Sequence, residues 1–128
     1  MASEKPLSPH IQIYRWEITM MVSILHRATG VALVAGAGLV VWMLLALASG
    51  EQAYDCFQKF ITSPVGKLML LGWTFAIFLH MGNGIRHFFW DVGMGYKKTT
   101  ARKSAFALLA FATLMTLVVW FTMCPWAQ

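Results

Sequence analysis

Apolar residues in this chain gather into three blocks from which charge is missing. They run from Ala28 to Gly50 between Arg27 and Glu51, from Leu68 to Ile85 between Lys67 and Arg86, and from Ser104 to Gln128 after Lys103. Each block holds about 18 residues or more, enough for a helix rising about 1.5 Å per residue to cross a hydrocarbon layer about 30 Å thick. A helix is required because lipid offers no partner to bare backbone amides. The pattern predicts an all-α integral membrane protein with three transmembrane helices. It is a single membrane domain over residues 1–128, with a lead-in segment over 1–22 and spans at about 23–50, 67–90 and 104–125.

Local signals fill in the rest. Leu7-Ser8-Pro9 favours extended backbone before Tyr14 and Trp16, which places the lead-in segment, irregular or partly amphipathic, at the headgroups. The first loop, Ser49 to Gly66, carries Glu51, Asp55 and the Ser63-Pro64 breaker, with room for a short interfacial helix. Gly93 and Gly95 end the second span ahead of the Lys97-Lys98 pair. The tryptophans fall toward both ends of the spans, as in an aromatic belt.

Composition agrees: 59% of the 128 residues are hydrophobic and 12% charged, against about 45–50% and 25% in an ordinary soluble domain. The net charge of +5 gives no nucleic-acid signal, because the basic residues flank the spans instead of forming one soluble face. Lys5, Arg15 and Arg27, with Arg86, Lys97, Lys98, Arg102 and Lys103, lie on one side of a three-span topology; Lys59 and Lys67 lie on the other. The positive-inside rule then puts the N-terminus in the cytoplasm or matrix. Pro6, Pro9, His10, Arg15 and Glu17 interrupt any signal-peptide core, and arginine is sparse for a transit peptide. The expectation is a multi-pass protein of a bacterial cytoplasmic membrane, with an organellar protein as second choice. Cys56 and Cys124 form no CxxC, CxxCH or zinc-ligand spacing, so neither covalent haem nor an iron–sulfur cluster is expected on this chain.

Ionisable groups in or beside membrane spans are costly, which makes them candidate functional residues. Ser23, His26, Arg27 and Gly30 are spaced i, i+3, i+4, i+7 and share one face of the first helix. His80, Gly84 and His87 share a face of the second, with Arg86 adjacent. Because the second helix runs back across the membrane, Arg86 and His87 should end near the depth of His26 and Arg27, with His80 about 9 Å deeper. A neutral imidazole at that depth with a small residue one turn away suits axial ligation of haem iron, with propionates directed to the basic cluster. The alternative is a plain interhelical hydrogen bond. Arg27 can equally snorkel to lipid phosphate, and Ser23 can cap a helix start. Together on one face they form a polar pocket suited to a quinone carbonyl.

These residues carry a resemblance. Ser8-Pro9-His10 with Ile13-Tyr14, Ser23-Ile24-Leu25-His26-Arg27 with Thr29-Gly30, and His80 with Asn83-Gly84-Ile85-Arg86-His87 and Trp90-Asp91-x-Gly93 resemble the cytochrome b556 anchor family of succinate dehydrogenase, complex II. The resemblance covers essentially the whole chain and leans to the alphaproteobacterial and mitochondrial branch. It implies that His80 is an axial ligand of haem b and that Ser23, Ile24 and Arg27 belong to the ubiquinone site. It also implies that His26 and Arg27 meet the haem propionates, with Arg86 and His87 on that side and Gly84 beside the ring. Half of a haem-binding helical bundle is implied, completed by a second small anchor subunit that supplies the other iron ligand. A flavoprotein subunit with FAD and an iron–sulfur subunit are the other implied partners, so the chain alone is not expected to be catalytic. Electrons from succinate would reach ubiquinone at the cytoplasmic edge, where Ser23 donates a hydrogen bond and Arg27 stabilises developing negative charge. The competing readings are a fumarate reductase anchor and a haem-free structural tether. Asp91 is expected to cap or salt-bridge in the loop.

Overall fold

The computed structural model describes residues 15–123, which fold as four α-helices with no strand among them. The sequence positions Ser8, Pro9, His10, Tyr14, Cys124 and Trp126 lie outside the described residues. Helix α1 covers Ile18–Ser49, α2 Glu51–Thr62, α3 Pro64–Asp91 and α4 Lys98–Met123. Three of these, α1, α3 and α4, are long and apolar enough to cross a membrane.

All three long helices begin earlier than their uncharged blocks, α3 directly after Ser63. The α1 helix starts at Ile18 because Ile18 and Val22 are apolar and close a small cluster with Ala105, Leu108 and Leu109 of α4. Helix α4 starts at Lys98, so its first turn carries the loop's cations before the apolar stretch begins. An ion pair of 3.1 Å between Lys98 Nζ and Glu17 Oε1 ties the starts of α1 and α4 together at one end of the bundle.

At the opposite end, Gly50 takes a φ of +104°, a left-handed value that suits glycine and lets α2 leave the axis of α1. The short helix is amphipathic, with its one buried residue, Phe57, edge-on to Trp42 at 5.2 Å between ring centroids. Glu51 in its first turn and Lys59 in its last complement the helix dipole. Ser63 then caps α3 by accepting from the Gly66 N–H at 3.2 Å, with Pro64 in the first turn. A Cβ at Gly66 would collide with the backbone of Phe60 and Ile61, so this corner requires glycine.

The far end of α3 closes with paired reverse bonds. The Gly93 N–H donates to the Trp90 carbonyl at 2.8 Å and the Met94 N–H to the Phe89 carbonyl at 2.9 Å, around a Gly93 φ of +83°. This is the Schellman arrangement, which satisfies terminal carbonyls that the helix leaves bare.

Helix α3 packs against both α1 and α4. Along α1, Gly36 makes room for the Trp73 indole of α3, since a Cβ there would overlap the ring. Most large apolar side chains remain outside the bundle, among them Val31, Val34, Phe88 and Phe121, which is 80% exposed. Such a surface would be unstable in water but meets no penalty against acyl chains or an apolar partner helix.

Candidate functional site

Helices α1 and α3 run antiparallel, and they touch through the buried Thr29 and the half-buried Gly30. Those small side chains leave space for the ring of His80 on α3. His80 Nδ1 lies 3.2 Å from the backbone carbonyl of His26 and 3.2 Å from the Thr29 hydroxyl. Thr29 in turn donates its hydroxyl proton to the same His26 carbonyl at 2.9 Å. A Cβ at Gly30 would sit 3.4 Å from His80 Cε1, so glycine here sets how closely the imidazole can press against α1.

Three imidazoles meet at this crossing. The His26 ring stacks on His80 with centroids 4.0 Å apart and planes inclined by 21°. His87, two turns along α3 from His80, lies 5.6 Å from His26 and packs edge-on against Trp90 at 5.0 Å. The depths inferred from sequence are thereby refined. His26 bridges His80 and His87 in place of sharing the outer level with His87 alone, because its side chain lies against the same stretch of α3 as both. His26 Nδ1 is buried and has no hydrogen-bond partner among the described residues.

Ser23, Ile24 and Arg27 form an adjoining exposed strip on α1. Arg27 makes no ion pair or hydrogen bond among the described residues. Gly84 has no atom within 4 Å of where a Cβ would stand, so the flank of α3 one turn beyond His80 is open.

Arg86 is the exception to the expected grouping. It lies six residues beyond His80, which is about 120° around the helix, so it faces a different neighbour. Its Nε donates to Ser104 Oγ at 2.9 Å, one terminal nitrogen to Asn83 Oδ1 at 3.2 Å and the other to the Ala101 carbonyl at 3.0 Å. The guanidinium carbon also sits 4.3 Å from the Trp90 ring centroid. Arg86 is thus buried against α4, beside an apolar groove of about 550 Å³ bounded by Phe89, Trp90, Leu108 and Phe111. The structure does not bring it to the imidazole cluster. Asp91 is exposed at the last turn of α3 and makes no salt bridge among the described residues.

Thr29 is the participant that residue-type reasoning passed over. It entered the sequence motif only as the neighbour of Gly30, although its spacing three residues after His26 puts it on the histidine's face.

The family model for the succinate dehydrogenase/fumarate reductase transmembrane subunit matches residues 1–119. The chain is 39% identical over 120 residues to the succinate dehydrogenase cytochrome b556 subunit of Paracoccus denitrificans, covering 91% of this chain and 92% of that one. It is 34% identical over 118 residues to the subunit of the same name from Rickettsia felis, with 92% of each chain covered. Against the human mitochondrial succinate dehydrogenase cytochrome b560 subunit it is 35% identical over 122 residues, covering 91% of this chain and 70% of the human one. Three membrane-length helices, the ordered histidine and arginine motifs, and end-to-end similarity converge: the chain belongs to the family of transmembrane subunits of succinate dehydrogenase and fumarate reductase.

Proposed function

We propose that this chain is the haem b-bearing anchor of a succinate:ubiquinone oxidoreductase, with His80 as one axial ligand and Ser23, Ile24 and Arg27 as its share of the ubiquinone site. The observation that carries the reading is the setting of His80. Its Nδ1 is engaged by the His26 carbonyl and Thr29, which leaves Nε2 as the ring atom for a metal. The surroundings fit the group: Gly84 leaves open space one turn away, and the buried, unpartnered His26 Nδ1 is a polar atom waiting for a partner. When bound, the haem supplies a one-electron store close to the quinone.

The protein's own residues have separate tasks. His26, Arg27 and His87 offer the positive or hydrogen-bonding heads that meet propionates, while Arg86 is spent on α4. Ser23 donates a hydrogen bond to a quinone carbonyl, and Arg27 stabilises the negative charge that grows on the oxygen as electrons arrive. Ile24 gives the site an apolar wall. The exposure of all three residues on one strip suits a pocket completed by other subunits.

Those subunits are a flavoprotein, an iron–sulfur protein and a second small anchor that provides the other axial ligand, so catalysis belongs to the assembled complex. The cationic end of the bundle, with Arg15, Arg27, Lys97, Lys98, Arg102 and Lys103, faces the cytoplasm of a bacterial cell. The family description covers fumarate reductases too, but the relatives named above are all succinate dehydrogenase subunits, which favours succinate oxidation.

The test is His80→Ala in the purified complex. Reduced-haem absorbance should disappear or change form while succinate oxidation by a soluble acceptor persists. An unchanged spectrum excludes His80 as ligand, and a parent complex without haem absorbance would leave only a haem-free tether.

A further inference from the structure

We infer that Thr29 is a positioning residue, which sets the rotation and tautomer of His80 so that Nδ1 carries the proton and Nε2 presents its lone pair. The inference rests on the haem reading above and assigns a task to a residue outside the expected ligand and quinone sets.

A threonine hydroxyl has one proton to give, and Thr29 Oγ1 lies 2.9 Å from the His26 carbonyl oxygen, which has none. That proton is therefore committed to the carbonyl. His80 Nδ1 stands 3.2 Å from the same carbonyl and 3.2 Å from Oγ1. Were Nδ1 unprotonated, its lone pair would face the carbonyl's lone pair, and the single threonine proton would have to serve two acceptors at once. With the proton on Nδ1, the ring N–H is shared between the two oxygens in a three-centre bond, and no bare lone pair faces another. A neutral imidazole carries one ring proton, so Nε2 is then free to bind iron.

Thr29 and its contact are secluded, since Thr29 is only 8% exposed and Gly30 lets the ring press close. Water cannot readily replace the hydroxyl there. A ring whose N–H is held by two acceptors is a stronger electron donor than one held by a carbonyl alone, which favours the oxidised metal. Threonines in membrane helices often bond back to a carbonyl of the preceding turn without further purpose. The test must therefore separate that local habit from an action through His80.

The experiment uses the whole purified complex. Thr29→Val keeps the branched shape and deletes the hydroxyl; Thr29→Ser keeps the hydroxyl. The valine variant should show a haem midpoint potential shifted in the positive direction and haem transfer to apomyoglobin faster by about tenfold, and the serine variant should restore both. A valine complex with unaltered potential and haem retention overturns the inference while leaving ligation by His80 standing. The ligation reading has its own readout, the His80→Ala spectrum. Should Thr29→Val reduce assembly, the same substitution is made in the His80→Ala background. Loss confined to the chain that retains His80 supports action through the imidazole, and equal loss in both backgrounds overturns it.

Discussion

Replacing Arg86 by methionine separates a helix clamp from a redox-site residue, and the structure sets the size of the effect. Three charge-assisted hydrogen bonds taken at about 1.5–3 kcal/mol each would suggest a loss of roughly 5–9 kcal/mol. That sum overstates the cost, because the charge leaves with the side chain and no buried ion is stranded. Ser104 Oγ still donates to the Ala101 carbonyl at 3.0 Å, so neither group is orphaned. The acceptor left bare is Asn83 Oδ1, on a residue only 1% exposed. One unsatisfied buried acceptor costs about 1–3 kcal/mol, and losing the contact with the Trp90 face adds about 1 kcal/mol.

Arg86→Met should therefore weaken docking of α4 by about 2–4 kcal/mol, read as a lowered denaturant midpoint and faster proteolysis in the α3–α4 loop of the purified complex. Adding Asn83→Leu removes the orphan and should recover a large part of the loss, since deleting both partners can be nearly neutral. Through all of this the haem spectrum and potential should stay as in the parent complex, because Arg86 faces α4 and not His80. A changed potential with unaltered stability would refute the clamp and return Arg86 to the propionate side. A double variant no more stable than the single would refute the assignment of Asn83 as the orphan.

Gly36→Ala should separate α1 from α3, because the new methyl overlaps the Trp73 indole; the expected loss is about 1–3 kcal/mol, measured as the thermal midpoint of the complex, and Trp73→Leu in the same chain should relieve it. Arg27→Leu should depress quinone reduction by about 10²-fold or more if it stabilises charge on the reacting oxygen, while succinate oxidation by a soluble acceptor survives. Equal loss of both activities would count against a role at the quinone. Glu17→Gln should change stability by less than about 1 kcal/mol, since its pair with Lys98 is exposed and screened; a larger loss would show that the pairing is sheltered in the assembled complex.

Much of the architecture was legible from one-dimensional features. Uncharged blocks mark the spans, Ser63-Pro64 and Gly93 mark helix boundaries, and polar residues in the first loop signal the surface helix that became α2. The starts of α1 and α4 were less legible, because a helix extends past its uncharged core whenever its first turns find a neighbour, as Ile18 and Val22 do against Ala105 and Leu108. The imidazole cluster was half visible. Spacing placed His26 and Gly30 on one face and His80, Gly84 and His87 on another, but it could not show that His26 would stack on His80.

Helix period and hydropathy, both properties of neighbours along the chain, determined by themselves that this protein crosses a membrane three times and carries His26 on a face of one helix and His80 with His87 on a face of another. Partner choice was decided only by the tertiary structure. Arg86 and His87 are consecutive, yet one is bound to α4 and the other packs beside His26, because a single residue turns the helix by about 100° toward a different neighbour. The contacts of His80 with Thr29 and His26 join residues 51 and 54 positions apart. Such a pairing depends on how closely two helices approach, and that distance was set by the small residues at their crossing.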